Sequence, residues 1–199
     1  LDWYYKQSKP YIWRLSSDPY KIWLSETMLQ QTRIQTVIPY YKKWILALPD
    51  INSTATSSIE NILKLWEGLG YYNRAKNFYK SCQIIVDKYN GSIPQDPALF
   101  QLLPGVGPYI SAAVMSIAYN MTIPAIDVNA IRVASRMFRI NTASNKNNKK
   151  ITEQLNKIID KKKPGDFNQA IMDLGREICS ISSPLCTKCP ISNNCIAYV

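Results

Sequence analysis

Four cysteines, Cys179, Cys186, Cys189 and Cys195, fall within 17 residues, with six, two and five residues between them. Four reduced thiols this close along a chain read as a metal site. A Cys₄ set suits a structural zinc ion and equally an iron–sulfur cluster. Structural zinc sites usually show two paired C-x₂-C knuckles, and only Cys186 and Cys189 are so spaced. Cys82 lies in the middle of a helical segment and reads as a buried small hydrophobe. The chain has no histidine. That removes Ser-His and Cys-His catalysis and every histidine–metal site, so acid–base work falls to Asp, Glu, Lys, Tyr or Cys.

A second stretch with chemical content runs from Leu102 to Asn129, LLPGVGPYISAAVMSIAYNMTIPAIDVN. Pro104-Gly105-Val106-Gly107-Pro108 breaks the backbone twice within five residues, and Pro108 can open a new helix where a missing N–H costs nothing. The small residues Ser111, Ala112, Ala113, Ser116 and Ala118 let that helix approach another surface closely. A tight turn with backbone N–H groups at a helix N-terminus suits a phosphate. Asp127 follows beyond the helix, next to Asn129 at the start of another. On its own, the Gly-containing turn would be an ordinary αα-hairpin.

These groups need a scaffold, and the composition supplies one. The chain has 199 residues, 46% of them hydrophobic, enough for one large or two small domains with a sizeable core. Lys and Arg number 24 against 14 Asp and Glu, a net charge of +10. A basic balance of this size points to a polyanionic partner, nucleic acid first. There is no signal-peptide pattern and no long apolar run, so a soluble, cytoplasmic or nucleoid-associated protein that does not engage a membrane is expected. Its cysteines would then be reduced rather than disulfide-bonded.

No segment alternates with period two, and an all-α fold is expected. Residues 1–9 read as the end of an amphipathic helix and 9–18 as a loop. Asp18-Pro19 is a helix start, with apolar positions carrying that helix to about Gln35. Further helices are expected over 39–48, 58–67, 72–89, 96–103, 129–138, 151–161 and 167–179, with 145–150 a polar, basic loop.

The stretch Trp23-Leu24-Ser25-Glu26-Thr27-Met28-Leu29-Gln30-Gln31-Thr32, followed by Val37-Ile38-Pro39-Tyr40, Leu65-Trp66-Glu67-Gly68-Leu69-Gly70-Tyr71-Tyr72, the Leu-Pro-Gly-Val-Gly turn and Phe167-Asn168-Gln169-Ala170, resembles the adenine DNA glycosylase (MutY-type) family. That family belongs to the helix-hairpin-helix superfamily of base-excision glycosylases. The resemblance runs from Leu1 to about residue 198. It implies a fold of two helical domains. A six-helix domain with the hairpin would span 12–121, an iron–sulfur cluster domain 1–11 plus 122–199, and the active site would lie in the cleft between them. The cysteine spacing is similar to the 4Fe–4S loop of the endonuclease III and adenine glycosylase superfamily, which makes a structural 4Fe–4S cluster the expected cofactor.

The resemblance also implies roles. Glu26 takes the place of the catalytic acid and Asp127 that of the carboxylate that stabilises the sugar cation. Tyr109 would hydrogen-bond within this constellation, and Asn129 would orient Asp127 or the water. The chemistry agrees: adenine leaves deoxyribose poorly unless protonated, and a second carboxylate must offset the developing oxocarbenium charge. As the acid, Glu26 needs a raised pKa, most easily from burial among apolar neighbours such as Trp23 and Met28. Endonuclease III-type enzymes carry a Schiff-base lysine just after the Gly-Val-Gly turn, where this chain has Tyr109, so monofunctional hydrolysis is expected.

The target adenine must leave the duplex to be reached. Trp13, Arg14 and Gln169 would surround it. Gln30, Gln31, Thr32, Leu69 and Tyr71 would fill the gap and meet the opposite base. The backbone amides of Gly105, Val106 and Gly107 would hold a phosphate, a contact that positions DNA without reading sequence. The expected partner is double-stranded DNA with an adenine mispaired with 8-oxoguanine or guanine, and the expected state is a monomer. The family usually has Asp-Gly-Asn where this chain has Asp127-Val128-Asn129, and usually carries a C-terminal Nudix-like recognition domain, which is not expected within these 199 residues. A thymine or other mismatch glycosylase of the same fold, or a non-catalytic lesion-binding protein, are the rivals. Glu26 argues against both.

Overall fold

Helix starts are the most legible local signals in the chain. Asp18 accepts the Tyr20 N–H, Asp50 and Ser53 form a capping box, Ser58 accepts from Asn61, Asp96 accepts from Ala98, and Asp127 accepts from Ala130. Each side-chain oxygen satisfies an N–H that the first helical turn leaves unpaired. A computed structural model of the chain describes residues 1–7, 11–141 and 146–198, and among these there is no strand. The α-helices in order are α1 (Asp2–Gln7), α2 (Pro19–Leu29), α3 (Ile34–Ala47), α4 (Ile51–Thr56), α5 (Ile59–Trp66), α6 (Asn73–Tyr89), α7 (Pro97–Gln101), α8 (Pro108–Tyr119), α9 (Val128–Met137), α10 (Lys146–Ile158) and α11 (Pro164–Glu177). Short 3-10 turns cover Ile12–Leu15, Cys186–Lys188 and Ser192–Asn194. None of these helices is long and apolar enough to cross a membrane.

The chain divides into two compact units, Pro10–Tyr119 and Leu1–Lys9 with Asn120–Val199. In the first, α2 is the central helix, buried from Tyr20 through Met28 except at Lys21. Its Trp23 ring lies 4.3 Å from Phe78 and 5.5 Å from Phe100. Trp44 packs edge-on to both Trp66 and Phe78 and donates its indole N–H to Tyr20 Oη. That hydroxyl also meets Thr54 Oγ1 and donates to the Leu48 carbonyl, so the polar atoms of the core are paired rather than stranded. Cys82 is fully buried, and burial pushes its thiol up, as suits an inert core residue. In the second unit Ala134, Ile151 and Leu155 form a core against which Phe138 and Phe167 pack, joining α9, α10 and α11.

Three local expectations are corrected. The helix from Pro19 stops at Leu29, because Gln31 turns left-handed (φ 56°) and a new helix starts at Ile34. Pro39 therefore lies inside α3 instead of heading a helix. It is exposed, and the buried face of Val37, Tyr41 and Trp44 outweighs the one backbone hydrogen bond it removes. The stretch 146–150 is the first part of α10 rather than a loop: the helix that buries Ile151 and Leu155 already begins at Lys146, and its exposed residues 148–150 are polar. Residues 8–10 and 145, read as parts of a helix end and of loops, lie outside the described residues.

Candidate active site

Within the first unit, α2 and α8 pack together and bring two distant residues into contact. Tyr109, the second residue of α8, donates its phenolic O–H to Glu26 Oε2 at 2.6 Å. Glu26 is 8% exposed, on a helix whose other buried residues are mostly apolar. A hydrogen bond this short fixes the carboxyl group's orientation. The small residues of α8, Ser111, Ala112, Ala113 and Ser116, are all buried, as the expected close approach requires.

The turn before α8 is held from outside. Ser81 of α6 donates to the Pro104 carbonyl, and Gly105 adopts φ 79° against Asn77, where a Cβ would meet the Asn77 Cβ at 2.9 Å. The phosphate expectation is corrected at Val106. Its side chain is buried and its N–H donates to the Leu103 carbonyl, so that amide is occupied in closing the turn. This leaves the exposed Gly105 and Gly107 as the candidate amides.

Two loops of the same unit gather the expected DNA-contacting residues. After α2, Gln31 is exposed and Gln30 and Thr32 are half-buried; before α6, Tyr71 is 61% exposed with φ 48°. Leu69 is 5% exposed and anchors its loop, so Tyr71 is the one of the two that faces solvent. Trp13 is also buried, stacked on Tyr11 and edge-on to Tyr41, and Arg14 lies over the Tyr11 ring.

In the second unit an irregular segment leads from Asn120, which is left-handed (φ 55°), to Asp127. Buried Asn168 clamps it, accepting from the Ala125 N–H and donating to the Ile123 carbonyl. Asp127 then caps α9: Oδ1 accepts from the Ala130 N–H at 2.6 Å and Oδ2 from Asn129 Nδ2 at 2.7 Å. Asn129 Oδ1 accepts in turn from Arg132, whose guanidinium also reaches the Gly175 and Cys179 carbonyls. Val128 is the first residue of α9 and 72% exposed, so its side chain is accommodated without displacing Asp127 or Asn129. Gln169, on α11, is 8% exposed and its amide points back to the Gly165 carbonyl.

Cys179, Cys186, Cys189 and Cys195 line one cavity of about 270 Å³. Arg136 donates to the Cys179 sulfur at 3.3 Å and to the Ser180 and Ile181 carbonyls, and the chain after Cys195 bonds back to the end of α9 through Ile196 and Ala197. Burial pushes the Cys189 thiol up, and Cys179, Cys195 and Cys186 push it the same way. Among the described residues no three cysteines or carboxylates converge on a single metal-ion position; the four thiols surround a space. Sequence reading missed Asn168's clamp, Arg132 and Arg136, because most of their partners are backbone carbonyls and amides more than 40 residues along the chain.

A helical unit whose hairpin turn opens a helix carrying a phenol against a buried glutamate, with a helix-capping aspartate and a cysteine-lined cavity in the second unit, is the framework of a DNA-repair helix-hairpin-helix protein. Residues 24–161 match the family described as HhH-GPD superfamily base excision DNA repair protein, and the chain belongs to that superfamily. It is 42% identical over its whole length to an adenine DNA glycosylase of Buchnera aphidicola subsp. Acyrthosiphon pisum (strain APS), of which it covers 58%. It is 36% identical over 99% of its length to the Homo sapiens adenine DNA glycosylase, of which it covers 38%. The chain thus spans about half the length of the curated relatives it matches. A solved thermostable thymine-DNA glycosylase superposes with a TM-score of 0.91 at 28% identity, over 99% of this chain and 92% of that one.

Proposed function

We propose that this chain performs base excision on duplex DNA, hydrolysing the N-glycosidic bond of an adenine mispaired with 8-oxoguanine or guanine and leaving the strand uncut. The observation that carries this reading is the Tyr109–Glu26 hydrogen bond at a buried carboxyl. A glutamate held in one orientation beside apolar side chains suits proton delivery to a leaving base. Glu26 protonates the adenine. Asp127, with both oxygens already accepting N–H donors, meets the positive charge that develops on the sugar. Asn129 orients Asp127 and the attacking water. Trp13, Arg14 and Gln169 receive the extruded base, the loops of Gln30–Thr32 and Leu69–Tyr71 fill the space it leaves, and the Gly105 and Gly107 amides hold a phosphate.

The test is single-turnover excision on a labelled duplex with adenine opposite 8-oxoguanine, with and without hot alkali. Product only after alkali is expected, since Tyr109 cannot form a Schiff base. Strand breaks without alkali would overturn that assignment. The resemblance to a thymine-DNA glycosylase makes a guanine·thymine duplex the parallel substrate: faster loss of thymine than of adenine would replace the adenine reading.

The four cysteines line one cavity and supply four thiolates, the donor set a 4Fe–4S cluster takes, and Cys179, Cys186, Cys189 and Cys195 would hold it. When bound, the cluster supplies a cross-link fixing the loop from Cys179 to Cys195. The chain's own contribution is Arg136, which ties that loop to α9. Protein purified without air should contain stoichiometric iron and acid-labile sulfide and show broad visible absorbance. Zinc in place of iron would sink the assignment.

A further inference from the structure

Arg74 lies near the start of α6 and its guanidinium joins two loops. Nη1 donates to the carbonyls of Thr27, Met28 and Gln30 at 3.0, 2.9 and 2.5 Å. Nη2 donates to Thr32 Oγ1 at 3.1 Å, to the Gly70 carbonyl at 3.2 Å and to the Leu69 carbonyl at 3.5 Å. Its Cζ lies 5.3 Å from the Trp66 ring centroid and 5.3 Å from that of Tyr71. The Trp66 indole N–H also bonds to the Gly70 carbonyl. One cation thus caps the end of the helix that carries Glu26 and holds both segments that follow α2 and α5.

The two loops share a second property. Gln31 and Tyr71 are both non-glycine residues in the left-handed region, with φ of 56° and 48°. Side chains disfavour that region, and such residues persist where the surroundings over-determine them. Arg74 bonds on both sides of Gln31, at Gln30 and Thr32, and to the two carbonyls immediately before Tyr71, whose ring it also faces. Both residues are exposed, so the core does not hold them there. A lysine could bring the charge but not a planar fork of donors spanning two loops.

We infer that Arg74 is a positioning residue that pre-organises the Gln30–Thr32 and Leu69–Tyr71 loops as one rigid wedge for opening the duplex. It touches neither the base nor the sugar and acts through Gln31 and Tyr71. This rests on the reading of those loops as the ones that enter DNA. Because the effect is on extrusion, it should vanish when extrusion is not required. Unstacking a paired base costs energy that an unpaired base has already lost.

The experiment compares wild type, Arg74→Lys and Arg74→Met on two duplexes, one with adenine paired opposite 8-oxoguanine and one with the same adenine in a single-base bulge. Arg74→Lys keeps the charge and the stem, and reads out if Arg74→Met fails to fold. Excision of the paired adenine should fall about tenfold or more, the scale on which loss of positioning acts, while excision of the bulged adenine stays near wild type. Equal losses on both substrates would mean a merely structural role, and no loss on either would remove the role altogether. A third probe, 2-aminopurine in place of the adenine, reports unstacking on binding without any excision. If wild type fails to excise but still raises 2-aminopurine fluorescence, and the Arg74 variants do not, the glycosylase reading fails and the wedge stands. Equal fluorescence for wild type and variants overturns the wedge.

Discussion

Glu26→Gln is expected to lose base excision while keeping duplex binding and thermal stability. Gln preserves the size and shape of the side chain, and its amide oxygen can still accept the Tyr109 hydroxyl that now bonds to Oε2. Packing against the core of α2 is therefore retained. What is lost is the proton. General acid catalysis contributes about 10²–10⁴-fold to a rate, and an adenine that must leave unprotonated lies at the upper end of that range. Tyr109→Phe gives the matched control, since it removes the hydrogen bond that aims the carboxyl and leaves the acid itself in place, and should cost less than Glu26→Gln. The measurement is single-turnover excision beside a binding titration on the same mispaired duplex. Excision by Glu26→Gln within about tenfold of wild type would put the acid elsewhere, and a parallel fall in binding would make Glu26 a structural residue.

The contrast between Glu26 and Arg74 shows what a one-dimensional reading reaches. Glu26 stands in an unbroken stretch, Trp23 to Thr32, whose residue types carry the family resemblance, so both the residue and its role are legible. Its hydrogen bond to Tyr109 spans 83 positions and follows only from the packing of α2 on α8. Arg74 looks like any basic residue at a helix start. Its partners are backbone carbonyls and a hydroxyl 42 to 47 residues earlier as well as the adjacent loop, and backbone carbonyls leave no mark in a sequence. Leu69 and Tyr71 were read together, yet a two-residue step moved one into the core and left the other 61% exposed. Helix caps were legible because Asp or Ser followed by a helical run is a local signal. Pro39 misled for the same reason: proline is a local marker of a helix start, and here the apolar face of Val37, Tyr41 and Trp44 overrides it. α4 went unseen because its residues, Ile51–Thr56, offer a capping box but almost no apolar periodicity.

Gly175→Ala tests whether the separation of α9 from α11 sets the catalytic geometry. Gly175 lies within α11, and a Cβ built on it would meet Asn129 Cβ at 2.6 Å, Asn129 Cα at 3.1 Å and the Asn129 carbonyl oxygen at 3.2 Å. Two of those three atoms are backbone, so no side-chain rotation relieves the contact, and α9 must move at its first turn. Alanine favours the helix by roughly 1 kcal/mol over glycine, whereas forcing a methyl into a packed contact costs about 1–3 kcal/mol. The two effects oppose, and a net change of stability of about 1–2 kcal/mol or less follows. The larger consequence falls on the site. Asn129 Nδ2 holds Asp127 Oδ2, and Arg132 joins Asn129 to the Gly175 carbonyl, so a shifted Asn129 carries both neighbours with it. Misplacing a reacting group by about 1 Å costs on the order of 10²-fold in rate. The turnover step should therefore fall by about that factor while the dissociation constant for the mispaired duplex stays nearly unchanged. A loss confined to thermal stability, with excision by the folded variant intact, would show that Asn129 tolerates displacement and that Asp127 is held by the Ala130 amide alone.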